Sequence, residues 1–596
     1  HTTTTRVTLT TGMLNGGSSI LNVNGVTTSA WAGTGSRFTA GTSTVNFNAA
    51  GNQTLSASAT TFNNLTFSGS GTRTITTANC TVTGIVAIEG TSTLSAAPTY
   101  GSTAILRYNT ATSRTVGPEW ITPFAASGGV NITNTGTITV NAAKVLNASV
   151  PLVISGGATL ATGNFQLTFG GNFTNAGTFT AGSSPIVIAN TMAAQSIAGF
   201  TTTGLVSMTK TAGVATLGGN VSAGGLTING SGGALNLGAA LTHTFSGIIT
   251  LTAGSLNGGS SILNENAVST TAWNGTGSLF TAGTGTVNFG AAGNQTLSAS
   301  ATTFNNLTFS NSGIKTLTTA NCSAGAIVSM EGTATVSATP TYGANATLQY
   351  NTSTGRTAGA EWITPFAATG GVVIANTGLI TMNAAKVFNN SIPLTINSGA
   401  SLATGNFQLN FGGNFVNNGS INAGSSPIVI DNTMTTQSIA GFTTTGLITM
   451  TKTSGTATFT GNANGSGLTV NGTGGTLNLG AGLTHTLTGN LTRTGGTLNG
   501  GSSVLRIGGT LSGTGGTFTA STGTIDYSGG VQSIVVLPYY NLTLSGSGTK
   551  TFAGATTVSN SIAIASGVVA NLTTGLIHSS IGLSLGGVFQ VAGTWG

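Results

Sequence analysis

Charge is the scarcest property of this 596-residue sequence. Only 4% of its residues are charged, whereas about 25% is usual for a soluble globular domain. Low charge indicates disorder when apolar residues are also rare, but here 39% of the residues are hydrophobic and many are β-branched Val, Ile and Thr. The composition therefore favours a folded, β-rich chain whose surface is unlike that of an ordinary cytosolic protein.

The small excess of basic residues does not form a patch. Fourteen Lys and Arg oppose seven Asp and Glu, which gives a net charge of +7. These cations are scattered singly along the chain, whereas binding to a phosphate backbone requires several of them on one face. The longest apolar runs, such as 534–540, are far too short to span a bilayer. We therefore expect no nucleic-acid partner and no membrane insertion.

Cysteine and histidine are also too rare to build a reactive or metal-binding site. Cys80 and Cys322 occupy equivalent positions of a repeat, and we expect each to be a small buried residue rather than half of a disulfide. His1, His243 and His485 recur singly, without a second ligand at metal-binding spacing. The sequence thus predicts no metal site and no cofactor.

A repeat of 242 residues organises the chain. The segment AAGNQTLSASATTFNNLTFS at 49–68 returns letter for letter at 291–310. We divide the chain into a first copy at 1–242, a second copy at 243–484 and a partial, diverged third copy at 485–596. A fixed repeat period is typical of stacked or arrayed architectures.

Short segments inside each copy alternate apolar with small polar residues, as expected for strands with one buried face. Pairs of small residues containing Gly separate these segments and supply the tight corners. The best helix candidate, 141–147, is too short to matter. The alternating apolar residues include Val45 and Phe47, Leu65 and Phe67, Phe165, Leu167 and Phe169, Leu226 and Ile228, and Leu235 and Leu237.

These features predict an all-β fold, an elongated β-solenoid (β-helix) built from tandem repeats. Turns of about 20 residues, stacked at about 4.8 Å, would give on the order of 30 turns. The alternative is a tandem β-sandwich array. We prefer the solenoid because sandwich loops tolerate changes in length, while the repeat here holds its register without any insertion over 242 residues.

Carboxylates are too few to make catalysis a good prediction. A glycosidase holds two of them about 5 to 10 Å apart, and the chain has only seven Asp and Glu. Glu119 and Glu361 are copies of one site, many turns apart in a solenoid, which leaves Glu89 and Glu119 as the only candidate pair. We therefore predict no catalytic residues and no enzyme activity, and we rank a β-helix polysaccharide-active enzyme third among the functions considered.

The motif EWITPF interrupts the repetitive composition once in each full copy. It places Glu119 beside Trp120 and Glu361 beside Trp362. Exposed aromatic rings stack on sugars, so these four residues are candidates for a glycan contact or a lateral packing contact. The competing interpretation of the motif is a Trp that closes a bulged turn, and that of the Glu89 and Glu119 pair is a solvated carboxylate beside Arg107 or Arg114.

Threonine-rich stretches suggest a second class of function, a glycan- or ice-binding repeat protein. Regular rows of Thr, such as those in 2–5 and 316–321, would present a flat lattice of hydroxyl groups. The sequence alone shows no uninterrupted Thr-x-Thr register. This function therefore ranks below a structural one.

One motif resembles repeats of a known kind. QTLSASATTFNNLTFSGSGTRTI at 53–75, with a later form VQSIVVLPYYNLTLSGSGTKTF at 531–552, is similar to repeats of very large secreted or cell-surface adhesin-like proteins of Bacteroidetes-type bacteria. The resemblance implies an extracellular or cell-surface structural protein, a rod- or filament-forming segment of a bacterial fibre. The partners we expect are other copies of the chain, through end-to-end stacking of the open solenoid edges or lateral contacts, and surface glycans.

Overall fold

Parallel strands stacked turn upon turn make up a computed structural model that describes residues 1–594. About 49% of the chain is strand and 2% is helix, and the strands form a β-solenoid of about 29 turns. Apart from one antiparallel pair near the end of the chain, the strands pair in parallel, whereas sandwiches are built from antiparallel sheets. The predicted solenoid is therefore confirmed over the sandwich array, and the expected number of turns is close.

The chain divides into two compact units. Unit 1 comprises residues 1–305 and 320–322, and unit 2 comprises 306–319 and 323–596. The boundary between the first two repeat copies lies elsewhere, inside the strand Thr242–Phe245. Repeat boundaries and compact units therefore do not coincide.

Each turn of unit 1 passes through three faces, which we call the first, second and third face in the order in which the chain visits them. Two long strands, Gly225–Asn236 and Ile249–Asn257, run from the third face into the first. Three short 3₁₀-helices, Gly35–Arg37, Thr77–Asn79 and Gly277–Leu279, lie on connections.

The first face of unit 1 contains the strands Thr2–Thr3, Ile20–Val23, Thr44–Phe47, Asn64–Phe67, Ile85–Ile88, Ile105–Tyr108, Gly129–Ile132, Leu152–Ile154, Phe173–Asn175, Ala194–Ile197, Val214–Leu217 and Phe280–Thr281. The second face contains Val7–Leu9, Thr27–Gly33, Gln53–Leu55, Thr72–Thr74, Thr93–Leu94, Arg114–Thr115, Thr137–Thr139, Thr159–Ala161, Thr178–Thr180, Phe200–Thr201, Val221–Ala223, Thr242–Phe245, Ile262–Glu265 and Thr286–Phe289. The third face contains Leu14–Asn15, Phe38–Thr39, Thr60–Phe62, Cys80–Val82, Thr99–Tyr100, Lys144–Val145, Leu167–Phe169, Ile186–Ile188, Leu205–Met208, Ser269–Gly275 and Gln295–Leu297.

Unit 2 follows the same plan of short parallel strands, and its last pair, Ser579–Leu585 with Val588–Phe589, is antiparallel. The strands Thr302–Phe309 and Cys322–Met330 contain residues assigned to both units. The remaining strands of unit 2 are Ile314–Thr316, Thr335–Val336, Thr341–Tyr342, Thr347–Tyr350, Arg356–Thr357, Val372–Ile374, Leu379–Thr381, Lys386–Val387, Leu394–Ile396, Ser401–Ala403, Leu409–Phe411, Phe415–Asn417, Ser420–Asn422, Ile428–Ile430, Thr436–Ile439, Phe442–Thr443, Leu447–Met450, Thr456–Phe459, Ala463–Asn464, Gly467–Asn478, Thr484–Leu487, Leu491–Asn499, Val504–Ile507, Leu511–Ser512, Thr517–Thr519, Thr524–Tyr527, Gln532–Ile534, Tyr539–Leu544, Thr549–Phe552, Thr557–Ile564 and Val569–Asn571.

The core of each unit is the interior of the coil, lined by every second residue of the strands. The predicted alternation is confirmed for most of the residues that it singled out, all of which are buried: Val45, Phe47, Leu65, Phe67, Leu167, Phe169, Leu226, Ile228, Leu235 and Leu237. Phe165 is an exception, since it is 41% exposed. It follows Asn164, whose φ of 67° turns the chain at a corner, so the strand begins only at Leu167.

Equivalent residues of successive copies occupy different faces. In unit 1, Ile20–Val23 pairs with Thr44–Phe47 on the first face, but its counterpart Ile262–Glu265 pairs with Thr242–Phe245 on the second. The 242-residue repeat therefore holds a non-integral number of turns and ends one strand further round the coil than it began. This is possible because all three faces present the same kind of short parallel strand.

Candidate functional site

The EWITPF motif of unit 1 lies where the third face lacks a strand. The connection between Arg114–Thr115 and Gly129–Ile132 makes only an isolated bridge there, from Phe124 to Leu146. Glu119 is 0% exposed and Trp120 is 1% exposed. The motif thus places the Glu119 and Trp120 side chains inside the coil, in the space that a regular strand would line with apolar residues.

Glu119 is held by hydrogen bonds from two neighbours. The hydroxyl of Tyr108 donates to Oε1 at 2.9 Å, and the backbone N–H of Gly117 donates to the same oxygen at 2.8 Å. The hydroxyl of Tyr100 donates to the Glu119 backbone carbonyl at 2.7 Å. Burial, followed by the Glu119 charge, raises the pKa of Tyr108 well above its usual value, so this phenol stays a donor.

Lys144 closes the cluster from the next turn. Its ammonium donates to the Trp120 carbonyl at 2.7 Å and lies 6.0 Å from the centre of the Trp120 ring. Burial lowers the pKa of Lys144, and the Glu119 charge opposes that shift. The segment 141–147, the best helix candidate of the sequence, instead forms the strand Lys144–Val145, which aims the lysine inward.

Unit 2 repeats this cluster with nearly the same distances. Tyr350 donates to Glu361 Oε1 at 3.0 Å, and Lys386 donates to the Trp362 carbonyl at 2.6 Å. Arg356 adds an ion pair to Glu361 at 3.9 Å. The repetition shows that the arrangement is a property of the motif and does not depend on which copy holds it.

The burial of the motif residues can be compared with the glycan contact predicted for them. Trp120 and Trp362 are 1% and 2% exposed, so neither ring offers a face on which a sugar could stack. The burial agrees instead with a Trp that closes a bulged turn. The interpretation of Glu119 as a solvated carboxylate was wrong, because its side chain is fully enclosed and hydrogen-bonded. The Glu361 side chain is enclosed in the same way.

The candidate acidic pair does not share a site. Glu89 is half-buried and accepts from the Asn109 side chain at 2.9 Å, while Glu119 is enclosed and bonded to Tyr108. The two carboxylates have separate partners. The geometry therefore gives them no common substrate-facing surface.

A second kind of buried polar cluster was not predicted from the sequence, and we call it the corner clamp. It consists of an inward Gln and a later inward cation that bind carbonyl oxygens at the corners of the coil. In unit 2, Gln532 donates to the carbonyls of Ile507 and Gly509, and Lys550 donates to Gly529 at 2.8 Å and to Gln532 Oε1 at 2.6 Å. The cation donates its hydrogen bonds to uncharged oxygens, and the Asp526 carboxylate acts on it only through its charge.

Corner clamps recur in both units. Gln53 and Arg73 form one in unit 1, with Arg73 donating to the carbonyls of Phe47, Ala49 and Gly51. Lys210 and Lys452 each donate to the side-chain oxygen of an inward Gln at 3.3 and 3.2 Å. The sequence signal was present in Q-[TS]-[LI] followed by a lone Lys or Arg, but scattered cations are usually surface residues.

The two cysteines and His243 are also interior. Cys80 and Cys322 are free and buried, as predicted, and burial raises the pKa of each thiol to about 12. His243 is 0% exposed, accepts from the Val221 N–H at 3.2 Å and lies 2.8 Å from the Leu237 carbonyl. These contacts fit a neutral ring, and burial lowers its pKa.

No family model, no curated protein and no solved structure matches this chain. Within residues 1–594 there is no group of three or more His, Cys, Asp or Glu that could hold a metal ion. In the same part of the chain, no helix has the length and apolar character needed to cross a membrane.

Proposed function

We propose that this chain is a structural segment of an extracellular bacterial surface fibre or adhesin, and that it is not an enzyme. The proposal rests on the positions of the chain's few charged side chains. Glu119, Glu361, Lys210, Lys452 and Lys550 are all buried, and they bind the chain's own donors and carbonyls. Groups committed to holding turns together in this way are not available to a substrate.

The outward positions support the same function. Within the strands they are mostly Thr, Ser, Asn and small apolar residues, which gives faces of low charge that can lie against an identical face without like-charge repulsion. Parallel ladders join each turn to the next by backbone hydrogen bonds. A segment built in this way resists local opening because each strand is fixed on two sides.

The partners we propose are other copies of the same chain, with surface glycans as a further partner. The location proposed is the cell exterior, as the repeats of adhesin-like proteins imply. Neither proposal involves nucleic acid or insertion into a membrane.

Electron microscopy of the native protein tests the structural function. We expect long unbranched fibres, with a repeat of about 4.8 Å along the fibre axis from stacked turns. A panel of acidic and neutral glycans incubated with the same material should show no turnover. A monodisperse monomer of the intact native protein, or hydrolysis of any glycan in the panel, would contradict the proposal.

A further inference from the structure

The second face of unit 1 carries two columns of threonine over four consecutive strands. Thr137, Thr159 and Thr178 pair in register to form one column. Thr115, Thr139 and Thr180 form the other, with Ala161 between Thr139 and Thr180. We call the six threonines the threonine face.

The threonine face points away from the core. Residues between the two columns, such as Ile138 and Leu160, are buried at 1% and 0% exposure, so their neighbours along the strand must face outward. Arg114, on the first of the four strands, donates to the Gly90 carbonyl. No charged side chain therefore stands between the columns on these strands.

The hydroxyl groups of the threonine face have no hydrogen-bond partner within residues 1–594 of the structure. Elsewhere the chain uses such groups internally: the Thr162 hydroxyl donates to the Ala181 carbonyl at 2.9 Å, and the Thr202 hydroxyl to the Ser184 carbonyl at 2.7 Å. Unpaired hydroxyls in register are free to bind an external lattice of donors and acceptors.

The spacing within the threonine face is set by the backbone. Strands in register lie about 4.8 Å apart, and alternate residues on one strand lie about 6.6 Å apart. Thr is stiff at χ1, and both neighbours of each inner strand are fixed by ladder hydrogen bonds. The face is therefore a rigid two-dimensional grid of hydroxyl and methyl groups, which loses little entropy when it binds an ordered surface.

From this geometry we propose that the threonine face binds the surface of ice. The grid spacings are of the same order as the repeats between water molecules on ice planes, and each hydroxyl can donate to and accept from lattice water. A polysaccharide surface fits less well because sugar recognition relies on aromatic stacking, and these four strands carry no outward aromatic ring.

The second copy holds a natural comparison in unit 2. The positions equivalent to Thr137, Thr178 and Thr180 are Leu379, Ser420 and Asn422. Ser420 forms a hydrogen bond with Ser401, the counterpart of Thr159, at 2.8 Å. The counterpart grid therefore lacks two hydroxyls, at Leu379 and Asn422, and its two serine hydroxyls are paired with each other, so we expect it to contribute little.

The test is partition of the full-length chain into slowly growing ice from dilute solution. We expect the wild type to be enriched in ice several-fold over a control globular protein, and Thr159→Lys to lose that enrichment because a charge stands at the centre of the grid. Ser401→Lys, at the equivalent position of unit 2, should partition like the wild type. Thr159→Val, which keeps the shape and removes one hydroxyl, should reduce the enrichment even if the lysine variant unfolds.

A gain of function provides the converse experiment. The combined change Leu379→Thr, Ser401→Thr, Ser420→Thr and Asn422→Thr should build a second grid and raise the enrichment above that of the wild type. Exclusion of the wild type from ice, or equal losses in Thr159→Lys and Ser401→Lys, would overturn the proposal. Binding to insoluble cellulose or chitin that Thr159→Lys abolishes, without any ice enrichment, would assign the face to a polysaccharide instead.

Discussion

At the scale of single residues, one core position holds a carboxylate in the second repeat copy and an apolar side chain in the first. Glu265 occupies the position that Val23 occupies in the first copy, and both are 0% exposed. Glu265 Oε1 accepts from the Ala267 N–H at 2.9 Å, while Oε2 has no partner among the described residues. Burial raises the pKa of Glu265 to about 9, against a smaller lowering from the Ala267 hydrogen bond.

This shift makes the stability of the fold depend on pH in a defined direction. The folded state keeps the Glu265 proton up to a pH of about 9, while the unfolded chain loses it near its ordinary pKa of about 4.5. The stability that Glu265 contributes is therefore fully present below a pH of about 4.5 and is lost as pH rises through the folded pKa of about 9. Between these two pKa values, about 4.5 and about 9, Glu265 makes the free energy of unfolding fall by about 1 kcal/mol per pH unit. We expect Glu265→Val to remove that part of the slope.

Urea denaturation of the wild type and Glu265→Val at pH 5, 7 and 8.5 measures the difference. The buried His243 and His485 also have lowered pKa values. Their contribution to the pH dependence is the same in both proteins and cancels in the difference. The reverse change, Val23→Glu, is the matched control and should introduce the same slope. Parallel pH profiles for the wild type and Glu265→Val would contradict the assignment.

At the scale of elements, the corner clamp explains how short strands are joined at turns of unequal length. A corner leaves backbone carbonyls pointing inward that no ladder satisfies, and an unpaired buried carbonyl costs about 1–3 kcal/mol. Lys550 supplies donors to Gly529, Gly530 and Gln532. One side chain thus replaces hydrogen bonds that a regular strand would have made.

Removing one clamp should cost far more than removing a surface cation. We expect Lys550→Met to lower the free energy of unfolding by about 2–3 kcal/mol, since it leaves inward carbonyls without a donor. Arg6→Ala is the control, because Arg6 is an exposed cation and a surface substitution of this kind changes stability by about 0.5 kcal/mol or less. Equal losses in the two variants, measured by urea denaturation, would show that the clamp carries no special weight.

The strands were predictable from the sequence because alternation is a local signal. Val45 and Phe47 could be placed in the core from their own neighbours, and so could Leu226 and Ile228. The burial of Lys210 and Glu119 could not, because it depends on carbonyls and hydroxyls contributed by other turns. The threonine face was missed for the same reason. Paired residues on its four strands are 24, 22 and 19 residues apart in the sequence, so the register appears only once the turns are stacked.

At the scale of the whole molecule, the buried charges are held mainly by dipoles. The chain carries 14 basic and seven acidic residues, yet the hydrogen-bond acceptors of Lys144, Lys210, Lys452 and Lys550 are backbone carbonyls and Gln oxygens. Such contacts form inside the coil, where salt screens charges far less than at the surface. Stability should therefore depend little on ionic strength.

Urea denaturation at low and high sodium chloride tests this expectation. Between about 0.01 M and about 1 M salt the screening length falls from about 30 Å to about 3 Å. This weakens the attraction exerted by solvent-exposed cations such as Arg506, whose side chain is 53% exposed, but leaves the clamps intact. We expect the free energy of unfolding to change by less than about 1 kcal/mol, an amount that surface pairs alone can supply. Lys550→Met should show the same small dependence, because the interaction it removes is not one that salt screens. A loss of several kcal/mol in the wild type at high salt would mean that long-range attraction between charges stabilises the coil.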